Sequence, residues 1–278
     1  MKKQVILSGG LGNQMFQYAF YLSLRRRGVD CVLNASMYRD VVVHQGFELQ
    51  RVFGINEIID NWGKLRRFWL RFLQKYHPSC LVCKDPIITY YEQSYHTKAC
   101  YYFGYWMNEA YFSSITDEVR KVFMFRDIDD RNLAFAQQMK GMNSVSLHIR
   151  RGDYLMNTDY NVCTEKYYQN AINQICSKVT DPKFYIFSDD PDWCNSFMKQ
   201  FEVDFEVVTH NRGKDSYKDM YLMTQCHHNI IANSTFSWWG AWLNKHDGKI
   251  VVAPSPWWNI NEKTPVCDKW YKIEGIGE

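Results

Sequence analysis

The chain has 278 residues, 46% of them hydrophobic and 23% charged, with 10 Trp, 19 Tyr and 17 Phe. That composition excludes a disordered, collagen-like or low-complexity chain and allows a sizeable core, in one large domain or two of ordinary size. The formal charge of +3, from 33 basic against 30 acidic residues, is too balanced for the broad electrostatic footprint of a nonspecific nucleic-acid binder, so no nucleic-acid partner is expected.

In chain order, the first elements are a strand QVIL, a loop SGGLGNQ, a helix over 13–27 ended by Gly28, and a strand DCVLN. The opening MKKQVILSGG carries no apolar leader, and nine cysteines is an odd number, so a reduced, cytoplasmic setting is expected. Beyond residue 40 the layout is obscure, with one exception. KLRRFWLRFLQKY at 64–76 puts Leu65, Phe68, Trp69, Phe72, Leu73 and Tyr76 on one stripe, with Lys64, Arg66, Arg67, Arg71 and Lys75 opposite. A core-facing helix with a solvated basic face has this pattern, and so does a helix lying at the surface of a membrane. Cys80 and Cys83, near His77, His96 and Cys100, have enough ligands for a zinc ion but match no zinc module by spacing, so no metal is expected.

The second half alternates more plainly. Strands SVSLHIR (144–150), KFYIFS (183–188), FEVVT (205–209), NIIA (229–232) and KIVVA (249–253) are separated by helices near 165–178, 191–201, 215–226 and 235–245. Five strands alternating with four helices imply a mostly parallel, doubly wound α/β sheet, with ligands bound beyond the carboxyl ends of its strands. Residues 1–143 hold 19 basic and 13 acidic groups against 14 and 17 in 144–278, which supports two domains with a boundary near 143.

Several loops carry candidate chemistry. GGLGNQ at 9–14 invites a dinucleotide reading, but Met15 stands where a third glycine should allow close helix packing; the alternatives are a tight turn, or a loop whose Asn13 and Gln14 hydrogen-bond a ligand. HIRRGDY at 148–154 ends a strand with two arginines, costly without an anionic partner, and guanidinium forks suit phosphate oxygens. An arginine beside a departing pyrophosphate stabilises the transition state more than the ground state. The bland alternative pairs Arg150 or Arg151 with Asp153. In SDDPD, Asp190 and Asp192 have a metal-binding spacing, Asp189 or Asp190 could instead accept the paired N–H donors of a guanine edge, and Asp190 before Pro191 suits a helix cap. In NSTFSWWGAW, Ser234 and Thr235 at a helix start suit phosphate oxygens, while the tryptophans read as core.

Taken together, GGLGNQMFQYAF, HQGFELQ, HIRRGDY, FSDDPDW and DMYLMTQCHHNIIANSTFSWWGAWL resemble the bacterial α-1,2-fucosyltransferase family (glycosyltransferase family 11-like) along nearly the whole chain. The resemblance implies a GT-B-like α/β fold of two Rossmann-like domains facing across a cleft: an acceptor-side domain, 1–143, and a GDP-fucose-binding domain, 144–278. It implies an inverting transfer of L-fucose from GDP-β-L-fucose to the 2-hydroxyl of a terminal galactose, with no cofactor and no metal. Arg150 would bind the β-phosphate, His148 the guanine or diphosphate, Asp189 and Asp190 the guanine, and Ser234 and Thr235 the diphosphate, with Asn13 reaching the donor across the cleft. Arg151 would bind the substrate beside it. Asp153 and Asp159 are the nearest candidates for a general base, and a dissociative transfer in which a phosphate oxygen takes the proton needs neither. The acceptor is expected to be a galactose-terminated glycan of a surface polysaccharide such as O-antigen, and a lipid-linked one would favour peripheral contact at the inner face of the cytoplasmic membrane through 64–76. Transfer of another GDP-sugar, another linkage, a non-catalytic carbohydrate-binding protein and a nicotinamide oxidoreductase are the competing functions.

Overall fold

The computed structural model describes residues 2–40, 45–59, 62–85, 88–152, 158–159, 161–259 and 263–274. The chain divides into two units, Met1–Arg126 and Asp127–Glu278.

In the first unit the described elements are β1 (Lys3–Ile6), α1 (Leu11–Arg26), β2 (Cys31–Asn34), α2 (Leu49–Phe53), β3 (Ile58–Ile59), α3 (Lys64–Tyr76), β4 (Val82–Lys84), α4 (Gln93–His96), β5 (Tyr101–Phe103) and α5 (Thr116–Val122). The five strands are parallel in the order β3-β2-β1-β5-β4. Helix α1 is buried along most of its length, because its aromatic residues pack on several sides rather than on one stripe. Phe20 lies flat against Trp106, with ring centroids 4.0 Å apart, and edge-on to Tyr102 and Tyr111. Such offset and edge contacts are where the high aromatic content goes.

The second unit contains α6 (Asp130–Lys140), β6 (Ser144–Ile149), α7 (Glu165–Cys176), β7 (Lys183–Ser188), α8 (Pro191–Met198), β8 (Asp204–Val208), α9 (Tyr217–Gln225), β9 (His228–Ile230), α10 (Thr235–Leu243), β10 (Val251–Ser255) and β11 (Tyr271–Glu274). Its six described strands are parallel in the order β11-β10-β9-β6-β7-β8. Alternation along the strands builds a core on each face of the sheet. Val145, Leu147 and Ile149 of β6 pack with Tyr168, Ile172 and Ile175 of α7. Tyr185 and Phe187 of β7 face the other way, onto Ala136 and Met139 of α6 and Leu222 and Met223 of α9. All six residues of β6 are buried, as expected for a strand covered on both faces.

The division at 126/127 replaces the boundary near 143 expected from charge counting. Helix α6 belongs with the second unit because its apolar residues complete that unit's second core, and Asn132 exchanges hydrogen bonds with Asn211 at 2.9 and 3.0 Å. The sheet also has a sixth strand, β11, that the periodicity did not reveal. It is an edge strand with Tyr271, Lys272 and Glu274 exposed, so only Ile273 packs inward.

The chain runs outward from β6 through β7 to β8, then returns to the opposite side of β6 to form β9, β10 and β11. Beyond the carboxyl ends of β6 and β9 lies the topological switch point, where open parallel sheets bind ligands.

Candidate active site

Three loops leave neighbouring strand ends at this switch point. The pairing of β6 with β7 sets His148 beside Phe187 and Ile149 beside Ser188, so Arg150 and Arg151 emerge next to Asp189 and Asp190. The pairing of Leu147 with Ile230 sets the β9 loop, with Asn233, Ser234 and Thr235, on the other side.

The two arginines are held by two different carboxylates. Arg150 Nη1 lies 3.1 Å from Asp189 Oδ2, and the backbone N–H of Arg151 donates to Asp189 Oδ1 at 3.0 Å. Arg151 Nε donates to Asp190 Oδ2 at 3.2 Å, and its guanidinium stacks on Trp193, 3.8 Å from the ring centroid. Asp190 Oδ1 accepts the N–H of Trp193 at 3.2 Å and so caps α8, with Pro191 as its first residue. The cap expected at Asp190 is therefore present. Both oxygens of Asp189 and of Asp190 have protein donors, so these carboxylates set the arginine loop. Gly152 belongs to the same arrangement, since a Cβ there would stand 2.8 Å from Asp189 Oδ2. Arg150 keeps 29% of its side chain exposed, so an anion from solvent can reach it.

His148 joins the first loop to the third. Its Nδ1 lies 2.9 Å from Ser237 Oγ on the first turn of α10, and its ring is 6.0 Å from that of Phe236. Burial, reinforced by the neighbouring Arg150, lowers the imidazole pKa from 6.5 to about 3. The ring is thus neutral near pH 7 and acts as a hydrogen-bonding group, not a cation. Ser234 caps α10, accepting the N–H of Phe236 at 3.3 Å, and Thr235 is the first residue of the helix; both are half-buried. Trp238, Trp239 and Trp242 are buried, as the core reading of the aromatic run requires.

Asn13 and Gln14 lie in the first unit, at the start of α1. Gln14 is fully buried; its amide donates to Gly9 O at 3.0 Å and Gly46 O at 2.8 Å, and its carbonyl accepts the N–H of Glu48 at 2.9 Å. It ties the GGLGNQ loop to the HQGFE segment, so its amide is committed to protein partners instead of the expected ligand. Asn13 is half-buried, packed against Gly9, whose positive φ of 78° sets the turn. Asp159 is exposed, with its backbone carbonyl accepting the N–H of Asn259 at 3.0 Å. Asp153 lies outside the described residues.

Sequence reasoning missed Trp193, Ser237 and Gly152 as parts of this site. The signal for Trp193 was its place three residues after the capping Asp190, which returns it over the arginine loop. A further buried group lies at the end of β8, where Asp219 accepts from Asn211 Nδ2 at 2.9 Å and His210 Nε2 lies 3.1 Å from Asn132 Oδ1. Among the described residues no group of three or more His, Cys, Asp or Glu side chains is placed to hold a metal ion.

Chemically, the strand ends supply a guanidinium fixed by a carboxylate, a neutral imidazole and a hydroxyl-capped helix start, a set suited to phosphate oxygens. Residues 2–278 match the family model described as Glycosyl transferase family 11. The chain is 32% identical to an alpha-1,2-colitosyltransferase of Escherichia coli, over 96% of this chain and 97% of that protein. It is 31% identical to the Escherichia coli O-antigen biosynthesis glycosyltransferase WbnK, over 96% and 99%, and 26% identical to the galactoside 2-alpha-L-fucosyltransferase Sec1 of Mus musculus, over 87% and 64%. Among solved structures, NodZ alpha-1,6-fucosyltransferase co-crystallized with GDP superposes with a TM-score of 0.54 at 16% identity, covering 86% of this chain and 92% of that one. The fold is thus GT-B-like, and the chain belongs to glycosyl transferase family 11.

Proposed function

We propose that this chain transfers L-fucose from GDP-β-L-fucose to the 2-hydroxyl of a terminal galactose on a surface-polysaccharide glycan, with inversion at the anomeric carbon. The observation that carries this reading is Arg150, fixed by Asp189 at 3.1 Å at the end of β6 and still open to solvent. As the bond from the anomeric carbon to the β-phosphate oxygen breaks, negative charge gathers on the departing GDP. A guanidinium already oriented toward it stabilises the transition state without reorganising. Arg151, stacked on Trp193 and paired with Asp190, positions the loop, while the start of α10, with Ser234 and Thr235, offers N–H and hydroxyl donors to the diphosphate. The acceptor hydroxyl attacks the opposite face of an oxocarbenium-like sugar and passes its proton to Asp153, to Asp159 or to a phosphate oxygen. Arginine supplies the countercharge in this scheme, so no metal or other cofactor is required. Asn13 is proposed to contact the donor.

The name of one relative, an alpha-1,2-colitosyltransferase, favours a second reading of the donor. A colitosyl group is a fucosyl group lacking the 3-hydroxyl, and the same diphosphate chemistry serves both. A site built to hydrogen-bond that hydroxyl would reject the deoxy sugar strongly, whereas an apolar pocket for the deoxy sugar would discriminate only weakly against the extra hydroxyl.

The test is to incubate the chain with a terminal β-galactoside and either GDP-fucose or GDP-colitose, with a chelator present, and to assign the product linkage by NMR. Transfer to O2 with inversion is expected, and the ratio of kcat/KM values chooses the donor. Absence of transfer from both donors, together with absence of saturable GDP binding, would overturn the proposal.

A further inference from the structure

Helix α3 is turned the opposite way from an ordinary amphipathic helix of a folded domain. Only Leu70 and Leu73 are buried, in a core with Ile6, Val82, Tyr101 and Phe103. The apolar stripe faces outward: Leu65 is 87% exposed, Phe68 72% and Tyr76 60%, with Trp69 and Phe72 also exposed. At about 100° per residue these five side chains span an arc of roughly 100°, and the two buried leucines lie about a third of a turn away. The exposed rings gather on one another, Trp69 stacking on Phe72 at 5.3 Å and Tyr76 meeting Phe72 at a tilt, with centroids 4.7 Å apart. Isolated apolar side chains on a surface are unremarkable, but a continuous stripe along three turns of helix marks a surface that something covers.

The charges beside the stripe indicate what covers it. The helix carries Lys64, Arg66, Arg67, Arg71 and Lys75 and no acidic residue. Asp40 pairs with Arg67 at 2.9 Å and Arg71 at 3.3 Å and leaves a net positive helix. Lys64, Arg71 and Lys75 fall in a row along the edge of the stripe remote from the core leucines. Apolar rings flanked by a basic row match the boundary between acyl chains and anionic headgroups. A second copy of the chain fits poorly, because two such helices face to face would bring like charges together.

We infer that α3 is a membrane-surface helix that docks the protein on a bilayer containing anionic lipid, inserting Leu65, Phe68, Trp69, Phe72 and Tyr76 while the basic row meets the headgroups. The helix lies in the plane of the bilayer and does not cross it: no described helix is long and apolar enough to span a membrane. An acceptor glycan carried on a lipid in the same bilayer would be concentrated near the enzyme. The docking itself does not depend on which sugar the enzyme transfers.

The test is flotation of the full chain with phosphatidylcholine vesicles containing about 30% phosphatidylglycerol, compared with pure phosphatidylcholine. Binding is expected to the mixed vesicles and to be roughly ten-fold weaker or more to neutral ones and at high salt. The double variant Phe68→Ser/Phe72→Ser, and separately Lys64→Glu/Lys75→Glu, should each lose about ten-fold in partitioning, with GDP affinity and turnover on a water-soluble galactoside unchanged. Brominated lipid should quench fluorescence in the unsubstituted chain by a component that Trp69→Phe removes, a readout that needs no disruptive variant. The proposal is overturned if the unsubstituted chain ignores mixed vesicles, if the serine variant binds them equally well, or if sedimentation shows a dimer that the same substitutions dissociate. Since GDP binding is measured in the same samples, loss of docking and loss of the proposed catalytic function are told apart.

Discussion

Asp189 holds the HIRR loop by two oxygens at once, Oδ2 on the Arg150 guanidinium at 3.1 Å and Oδ1 on the Arg151 backbone N–H at 3.0 Å. One carboxylate therefore fixes both the side chain proposed to meet the leaving group and the backbone that carries it. Asp189→Asn keeps an acceptor for the backbone N–H but removes the charge. Its kcat should fall about ten-fold, and Asp189→Ala should fall further because the N–H also loses its partner. Steady-state kinetics with GDP-fucose check this; equal activity of all three proteins would show that Asp189 does not position Arg150.

Gly152 leaves the space that this carboxylate fills. In Gly152→Ala the new Cβ starts 2.8 Å from Asp189 Oδ2, so the carboxylate or the loop must shift. A displacement well under 1 Å at a positioning group is expected to cost about ten-fold in kcat, with the thermal midpoint nearly unchanged. Kinetics and a melting curve on one preparation separate this from general destabilisation.

Trp193 braces Arg151 from its open face, 3.8 Å from guanidinium to ring centroid. Trp193→Leu should reduce stability by about 1 kcal/mol from the lost cation–π contact, and Trp193→Phe by less. Urea unfolding of the two variants provides the comparison, and leucine tolerated as well as phenylalanine would argue that packing alone matters there.

Two buried groups tie stability to pH in opposite directions. Burial raises the Asp219 pKa from 3.8 to about 7, although the hydrogen bond from Asn211 works against it. A carboxyl with a raised folded pKa contributes stability that is complete below pH 3.8 and is lost as pH rises to about 7, at no more than ~1.4 kcal/mol per unit. Asp219→Asn should therefore gain on the unsubstituted chain between pH 4 and 7, with the difference constant above that. His148 has a lowered folded pKa of about 3, so its contribution is present above 6.5 and is lost as pH falls toward 3. Thermal midpoints across pH 4 to 8 test the first statement. Nitrogen-15 chemical shifts of labelled histidine test the second, a neutral His148 ring at pH 5 being the expected result.

Much of this was legible because local and global signals agree. In the second unit KFYIFS is nearly continuous in apolar residues, as a strand covered on both faces is, SVSLHI alternates Val145, Leu147 and Ile149 with serines and a histidine, and each is followed by a helix with one apolar face. The strand order then brings HIRR, SDD and NST together without further information. What was not legible depends on direction and partners, which periodicity does not encode. The stripe of α3 was visible in sequence, but nothing local says whether Phe68 and Phe72 turn toward the core or away, and two leucines outside most of that stripe anchor the helix instead. The roles of Asp189 and Gln14 follow from which N–H groups meet them, and those lie 38 and 34 residues away in the chain. Helix α6 was assigned to the wrong domain because charge counts report on surfaces, whereas Ala136 and Met139 decide which core it joins.

The most direct measurement concerns Arg150. Arg150→Ala and Arg150→Lys should be compared with the unsubstituted chain for turnover of GDP-fucose with a terminal galactoside, and for GDP affinity by calorimetry. Turnover should fall about 10²-fold or more in the alanine variant and recover only partly with lysine, a point charge without the planar fork, while both variants keep their fold. Near-normal turnover in both would contradict the assignment of this guanidinium to the departing diphosphate.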